Sequence, residues 1–395
     1  MGGERVRARL QELVDRAQHL YEDLDLEAVK EWKEEAPGRK AIGYMPIYVP
    51  REIIHAAGML PVGIMGGGDR MEIIRGDAYF QSYICHIPRS TVELALSGRL
   101  DSLDGMLFPS ICDVIRNLSG MWSMLFPGRY VRYVDVPQNF DPEAGGLFWR
   151  KELESLRKDM ERLSGCTVDD QSLRRSISVY NDNRRALKNL YRARGERPWA
   201  FPTSEMYAFL RAGNVLPPEK HTELLDAYRE EAVLEEDRRE KDYSRVVIVG
   251  TFCEQPPVGL LMTLERAGCW IVDDDLILGH RWLKGDVHTG DDPMGQLAGA
   301  FLSQSTEAAS RYEPGDTKGQ ALIDSVRQND AEGVIFCSPS FCDPALLDQP
   351  MLAAALDREG ISHTQFKYSE DTGQFAAIRE QAGTFSDSIR LWSEV

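Results

Sequence analysis

The chain has 395 residues, of which 63 are acidic and 46 basic, giving a formal charge of −17, and 43% of its residues are hydrophobic. This is ordinary for a globular chain, and the length suits two or three domains of roughly 100–200 residues. The excess of carboxylates argues against general DNA or RNA binding, which rests on clustered Lys and Arg. No apolar run reaches the ~20 residues of a membrane helix, and the charged residues 1–16 lack the apolar stretch of a secretory signal. The expectation is a cytoplasmic protein without nucleic-acid or membrane partners.

Residues 2–34 place Leu10, Leu13, Val14, Ala17, Leu20 and Tyr21 at helical spacing, so an amphipathic helix leads the chain. Apolar segment 41–50, a short helix at 51–57 and a strand at 59–65 come next, the strand running into Gly66-Gly67-Gly68. Helix 91–96, strand 103–108, helix 113–125 and strand 129–136 complete this part. Such alternation of strand and helix implies parallel pairing in an α/β layer fold. From residue 147 to 240 strands vanish, and charged helical segments are expected at 149–164, 169–193, 204–211 and 218–239. Within them, residues 174–197 carry eight basic side chains against two acidic ones, either as a solvated helix face or as a contact for nucleotide-type phosphates such as those of coenzyme A.

A second α/β unit opens at Arg245, with strands expected at 245–251, 269–274, 333–338 and 363–368. Its helices are expected at 257–267, 293–302, 320–329, 344–358 and 374–392. The expected organisation is therefore an N-terminal helical segment (1–40), a first α/β domain (41–146), a helical connecting region (147–240) and a second α/β domain (241–395). Both α/β domains are expected to be Rossmann-like, doubly wound parallel sheets. The halves share a layout, with no repeat read at the level of residues.

Seven cysteines, Cys85, Cys112, Cys166, Cys253, Cys269, Cys337 and Cys342, are too widely spaced for a disulfide framework. Ligands of open parallel sheets sit beyond the carboxyl ends of the strands. Cys112, Cys253, Cys337 and Cys342 fall there, and Cys85 lies in a loop before a helix. Cys269, at the opposite end of its strand, and Cys166, between polar helices, read as structural. No Cys-x-x-Cys or His-Glu-x-x-His is present, and His55, His221 and His363 are isolated. Thiolates drawn from separate loops can hold an iron–sulfur cluster, although inert thiols give the same pattern. A nucleotide-hydrolysing Gly-rich loop and a Gly-x-Ser-x-Gly elbow are both missing. Asp273, Asp274 and Asp275 end a strand, where they can orient a polar ligand or cap the next segment.

Several segments together resemble the 2-hydroxyacyl-CoA dehydratase/benzoyl-CoA reductase family. They are Ile42-Gly43-Tyr44 through Val49-Pro50, Glu52-Ile53-Ile54, Ala56-Ala57-Gly58 with Pro61-Val62, and Cys85 with Arg89-Ser90. Leu103-Asp104-Gly105 leading to Ser110-Ile111-Cys112-Asp113, Asn181 with Arg184, Asp274-Asp275 with Gly279 and Arg281, and Phe341-Cys342-Asp343-Pro344 complete the set. The similarity spans residues 40–390.

The resemblance implies that Cys85, Cys112 and Cys342 bind a [4Fe–4S] cluster with one iron open to another ligand. His86, next to Cys85, is a candidate proton donor or hydrogen-bond partner of that cluster, or a structural histidine. Size and the additional Cys253 and Cys337 make the chain most similar to the C (gamma) subunits of ATP-dependent benzoyl-CoA reductases. That likeness implies a homologous B subunit, ATP-hydrolysing electron-activating subunits and a ferredoxin upstream. The implied reaction is two-electron dearomatising reduction of benzoyl-CoA to a cyclohexadiene-carbonyl-CoA. Some relatives hold an [8Fe–9S] double-cubane cluster needing about six thiolates; here Cys253 and Cys337 stand either as ligands of a second cubane or as thiols that tune the first. Two alternatives remain: a subunit of a 2-hydroxyacyl-CoA dehydratase, which eliminates water by a radical route, and a non-catalytic electron-storage or scaffold subunit.

Overall fold

A computed structural model describes residues 2–252, 256–311, 313, 317–369 and 375–393. Helices α1 (Gly2–Glu22) and α2 (Glu27–Glu34) lead into a unit of β1 (Ala41–Tyr44), α3 (Arg51–Ala56), β2 (Leu60–Gly63), α4 (His86–Leu96), β3 (Gly105–Pro109), α5 (Asp113–Leu125) and β4 (Tyr130–Val134). Four helices come after it: α6 (Leu147–Ser164), α7 (Asp170–Glu196), α8 (Thr203–Ala212) and α9 (Pro218–Leu234). The second unit holds β5 (Ser244–Val249), α10 (Val258–Arg266), β6 (Cys269–Asp274), α11 (Pro293–Gln304) and α12 (Gln320–Gln328). It ends with β7 (Gly333–Pro339), α13 (Asp343–Arg358), β8 (Ser362–Tyr368) and α14 (Phe375–Ser393).

Each unit forms one four-stranded sheet, ordered β2-β1-β3-β4 and β6-β5-β7-β8, with every pair parallel. This is the expected doubly wound α/β architecture, built twice. Side-chain alternation supplies a core to both faces of each sheet. On β5 and β7, Val246, Ile248, Ile335 and Cys337 pack against α10 and α14, whereas Val247, Val334 and Phe336 face α12 and α13. On β1 and β3, Ile42, Tyr44 and Leu107 face α3 and α6, and Ala41, Met106 and Phe108 face α4 and α5.

Two local expectations change. The helix expected from residue 91 starts at His86, which makes Cys85 its N-cap. The helix expected to reach residue 239 ends at Leu234, because Glu235 turns to extended backbone and only polar residues come after it. Gly66 (φ 73°) lies in the expected turn after β2, ahead of a short 3₁₀ turn at Gly68–Arg70.

The basic stretch within α7 is not a uniformly solvated face. Arg184 and Arg194 are buried, the first paired to Glu52 at 2.6 Å and the second to Asp274 at 2.6 Å. Helix α7 thereby ties α3 of the first unit to β6 of the second.

Candidate functional site

In both sheets the chain changes direction between the first and third strands of the unit, so a crevice opens beyond the carboxyl ends of β1 and β3, and of β5 and β7. Three cysteines stand at helix N-termini at these edges: Cys85 is the N-cap of α4, Cys112 of α5 and Cys342 of α13. Ser, Thr, Asp or Asn would cap better, and forgoing them costs about 1 kcal/mol per helix. A thiol at such a position instead faces unpaired backbone N–H groups and the positive end of the helix dipole.

Cys112 and Cys342 occupy matching places in the two units. Pro109-Ser110-Ile111-Cys112-Asp113 and Pro339-Ser340-Phe341-Cys342-Asp343 repeat Pro-Ser-x-Cys-Asp at the end of the third strand. The geometry repeats with them. Ser110 N donates to Val134 O at 3.0 Å and Ser340 N to Tyr368 O at 2.7 Å, each closing onto the edge strand of its own sheet. The halves therefore do carry a residue-level repeat, five residues long.

Burial pushes the Cys112 thiol up, the backbone N–H groups of Ile115 and Val114 oppose that, and the neighbouring Cys342 adds to the rise. Ile111, beside Cys112, shares one buried cluster with Cys342, Tyr48, Phe252 and Trp282, so side chains of both units meet there. Phe341, just before Cys342, has φ 67° and is 51% exposed. Left-handed backbone at an aromatic residue is strained, and such strain concentrates at functional segments.

The remaining candidates are placed differently. His86 is half-buried at the first position of α4. Cys337 is fully buried and, by the alternation of β7, sits on the α10–α14 side among Ile248, Leu260 and Phe366, away from the face that carries α13. Burial pushes its thiol well up, and nearby Asp275 adds to this. Cys253 lies outside the described residues. Cys269 is buried with its thiol pushed up to about 12, and Cys166 is exposed. Among the described residues, no group of three or more Cys, His, Asp or Glu side chains is gathered as an ion site.

The second crevice holds a cavity of about 750 Å³ at the ends of β5, β6 and β7, which the sequence pattern does not announce. Its floor uses the three aspartates internally. Asp273 accepts from Arg281 at 3.2 Å and Ser325 at 2.6 Å, and Tyr191 Oη donates to Asp274 at 3.0 Å. Asp275 accepts from the N–H groups of Gly250 and Thr251 and from Thr251 Oγ1; burial still lifts its carboxyl to about 6. Arg281 lies 3.4 Å from the Tyr191 ring centroid, a cation–π contact in the cavity wall. Asn181 Oδ1 accepts from Arg184 at 2.6 Å and from Val287 N at 2.8 Å, pinning the wall to α7.

Residues 46–389 match the family of the 2-hydroxyglutaryl-CoA dehydratase, D-component. The chain belongs to this family. It is 55% identical over 383 residues, 97% of its own length and 99% of the other's, to the C subunit of benzoyl-CoA reductase from Thauera aromatica. It is 28% identical to the (R)-phenyllactyl-CoA dehydratase beta subunit of Clostridium sporogenes, covering 90% of this chain and 93% of that one. It is also 28% identical to the lactoyl-CoA dehydratase beta subunit of Anaerotignum propionicum, covering 98% and 100%. The chain is thus an enzyme subunit of the reductase–dehydratase type. No helix among the described residues is long and apolar enough to cross a membrane.

Proposed function

We propose that the chain is the iron–sulfur subunit of an ATP-dependent, ferredoxin-linked benzoyl-CoA reductase, working beside a homologous B subunit and ATP-hydrolysing electron-activating subunits. The supporting observation is the doubled Pro-Ser-x-Cys-Asp motif, which brings Cys112 and Cys342 into electrostatic contact from two different sheets. The donor set suits a cluster: thiols, each at a helix N-terminus, with backbone N–H groups directed at the Cys112 sulfur. Cys85, Cys112 and Cys342 would hold a [4Fe–4S] cluster, which when bound supplies electrons at low potential. The protein's part is to exclude water with the apolar cluster around Cys342 and to direct backbone N–H groups at the Cys112 sulfur. His86, one residue beyond Cys85, is the candidate proton donor. The 55% relative, named as part of a benzoyl-CoA reductase, favours reduction over dehydration.

Cys337 counts against a double cubane, since its side chain points into the opposite core. Iron and sulfide analysis of anaerobically purified protein separates the readings: about four irons per chain supports the single cubane and about eight the double one. Cys112→Ser and Cys342→Ser are each expected to abolish most of that iron, whereas Cys269→Ser leaves it intact. Iron retained in both of the first two variants would sink the assignment. Supplying the ATPase partner with either thioester separates reductase from dehydratase, because dehydration consumes reductant catalytically and reduction stoichiometrically.

A further inference from the structure

Cys112 and Cys342 stand just past strand ends, each in its own Pro-Ser-x-Cys-Asp turn. Cys85 has no such anchor. It ends residues 64–85, which join β2 to α4 with only two short 3₁₀ turns, at Gly68–Arg70 and Gly76–Tyr79. A connection of that length is costly to order unless something holds it. Ile74, Tyr79 and Tyr83 are exposed, so burial of these side chains does not fix the segment.

What holds it is α4 itself. Residues 74–84 return along this helix and bond to it at three levels, through residues that share one helix face. Near the C-terminal end of α4, Arg75 Nη1 donates to Leu96 O at 3.0 Å. One turn earlier, Glu93 Oε2 accepts from the backbone N–H groups of Ile74 at 2.9 Å, Arg75 at 2.5 Å and Gly76 at 2.8 Å. A further turn toward the N-terminus, Arg89 Nε donates to Asp77 at 2.7 Å, and its Nη1 lies 3.5 Å from Ile84 O. Gly76 packs so closely that a Cβ there would lie 2.2 Å from Arg89 O. One residue after Ile84 comes Cys85, the N-cap of the same helix. Consecutive backbone N–H groups turned to one anion form a nest, and here the anion is the chain's own. Glu93 is 7% exposed; burial works to raise its carboxyl pKa, yet the three N–H groups outweigh this and hold it below the usual range.

We propose that Glu93 is a positioning residue for Cys85: its carboxylate closes segment 74–84 onto α4 and so sets the thiol at the helix N-terminus before a cluster binds. The inference rests on Cys85 being a cluster ligand and deepens that reading. Ordering the segment in advance removes its entropy cost from the binding step, so iron is held more tightly.

Alkylation of Cys85 and Cys112 by iodoacetamide is followed by mass spectrometry in the full chain freed of metal, with Cys112 as the internal reference. Glu93→Ala should speed the reaction of Cys85 about 10-fold or more, the effect of losing one hydrogen bond to a charged acceptor, and leave Cys112 unchanged. Glu93→Gln, which keeps an acceptor oxygen for the N–H groups, should restore the slow rate. Asp77→Asn weakens the Arg89 contact from an exposed position and should speed Cys85 in the same direction, even if Glu93→Ala does not fold. In the anaerobically loaded chain, Glu93→Ala should release iron to a chelator faster than the native protein. Equal Cys85 rates in the native chain and the variants, or a parallel rise at Cys112, overturn the proposal. Faster alkylation of Cys85 with unchanged iron release would reduce Glu93 to holding a loop and also overturns it. A native chain that takes up no iron, yet shows the Cys85 effect, sinks the cluster assignment and leaves the clasp standing.

Discussion

At His221 the fold decides the protonation state by burial. The ring is 1% exposed; its Nε2 donates to Phe209 O at 3.0 Å and its Nδ1 accepts from Asn183 Nδ2 at 3.1 Å. Acceptance at Nδ1 requires the neutral ring, and desolvation, with nearby Arg51 adding to it, holds the pKa down to about 4 from 6.5 although the Phe209 contact opposes this. The folded form therefore binds fewer protons than the unfolded chain between those values, so stability must fall as pH drops from about 6.5 to 4. At about 1.4 kcal/mol per unit, that loss amounts to about 3 kcal/mol. His280, 5.5 Å away ring to ring, is buried and shifted in the same direction. Urea unfolding at pH 7.5 and pH 4.5 is expected to show a smaller drop for His221→Gln than for the native chain, by about 2 kcal/mol. An equal drop in both would mean that other groups carry the acid sensitivity.

The element that organises the molecule is α7, whose buried cations meet carboxylates from both units. Arg194 and Asp274 are 1% and 0% exposed at their side chains, with Arg194 also 4.6 Å from the Tyr191 ring. Removing one partner of such a pair strands the other charge in a low-dielectric interior, at about 3–5 kcal/mol. Asp274→Asn is expected to lower stability by that amount in urea unfolding. Arg185→Ala on the exposed face of the same helix should cost less than about 1 kcal/mol, since its partners Asp182 and Asp286 are solvated. Equal effects for the two would remove the distinction between the inward and outward faces of α7. Sequence periodicity found this helix within three residues at its end, yet its seven basic residues look alike in the sequence. Which of them are buried depends on Glu52 and Asp274, which lie 132 residues before Arg184 and 80 after Arg194.

Over the whole molecule, the strands and most helices were legible because buried parallel strands are short apolar runs and their helices are amphipathic. The edge positions of Cys112 and Cys342 were legible for the same reason, since strand ends locate them. Three features were not: the N-cap role of Cys85, the inward turn of Cys337 and the large cavity. Each depends on where a chain segment sits relative to a distant one, which no local pattern encodes. The junction between the units shows this most plainly. Arg51, after β1, reaches His280 of the second unit at 2.6 Å, and His280 Nε2 meets Asn214 at 2.8 Å. Beside them a Cβ on Gly279 would lie 1.8 Å from the Pro46 carbonyl oxygen, backbone against backbone. Gly279 is thus required by contact between units. Gly279→Ala must push the 277–281 segment away from β1 and stretch the Arg51–His280 bond with it. The expected cost is about 1–3 kcal/mol, as for other overpacked sites. Gly299→Ala, where a Cβ meets nothing within 4 Å, is the control and should be neutral or slightly stabilising within a helix. Urea midpoints of the two variants test this directly. If Gly279→Ala unfolds with the control, the two units do not depend on this contact for their packing.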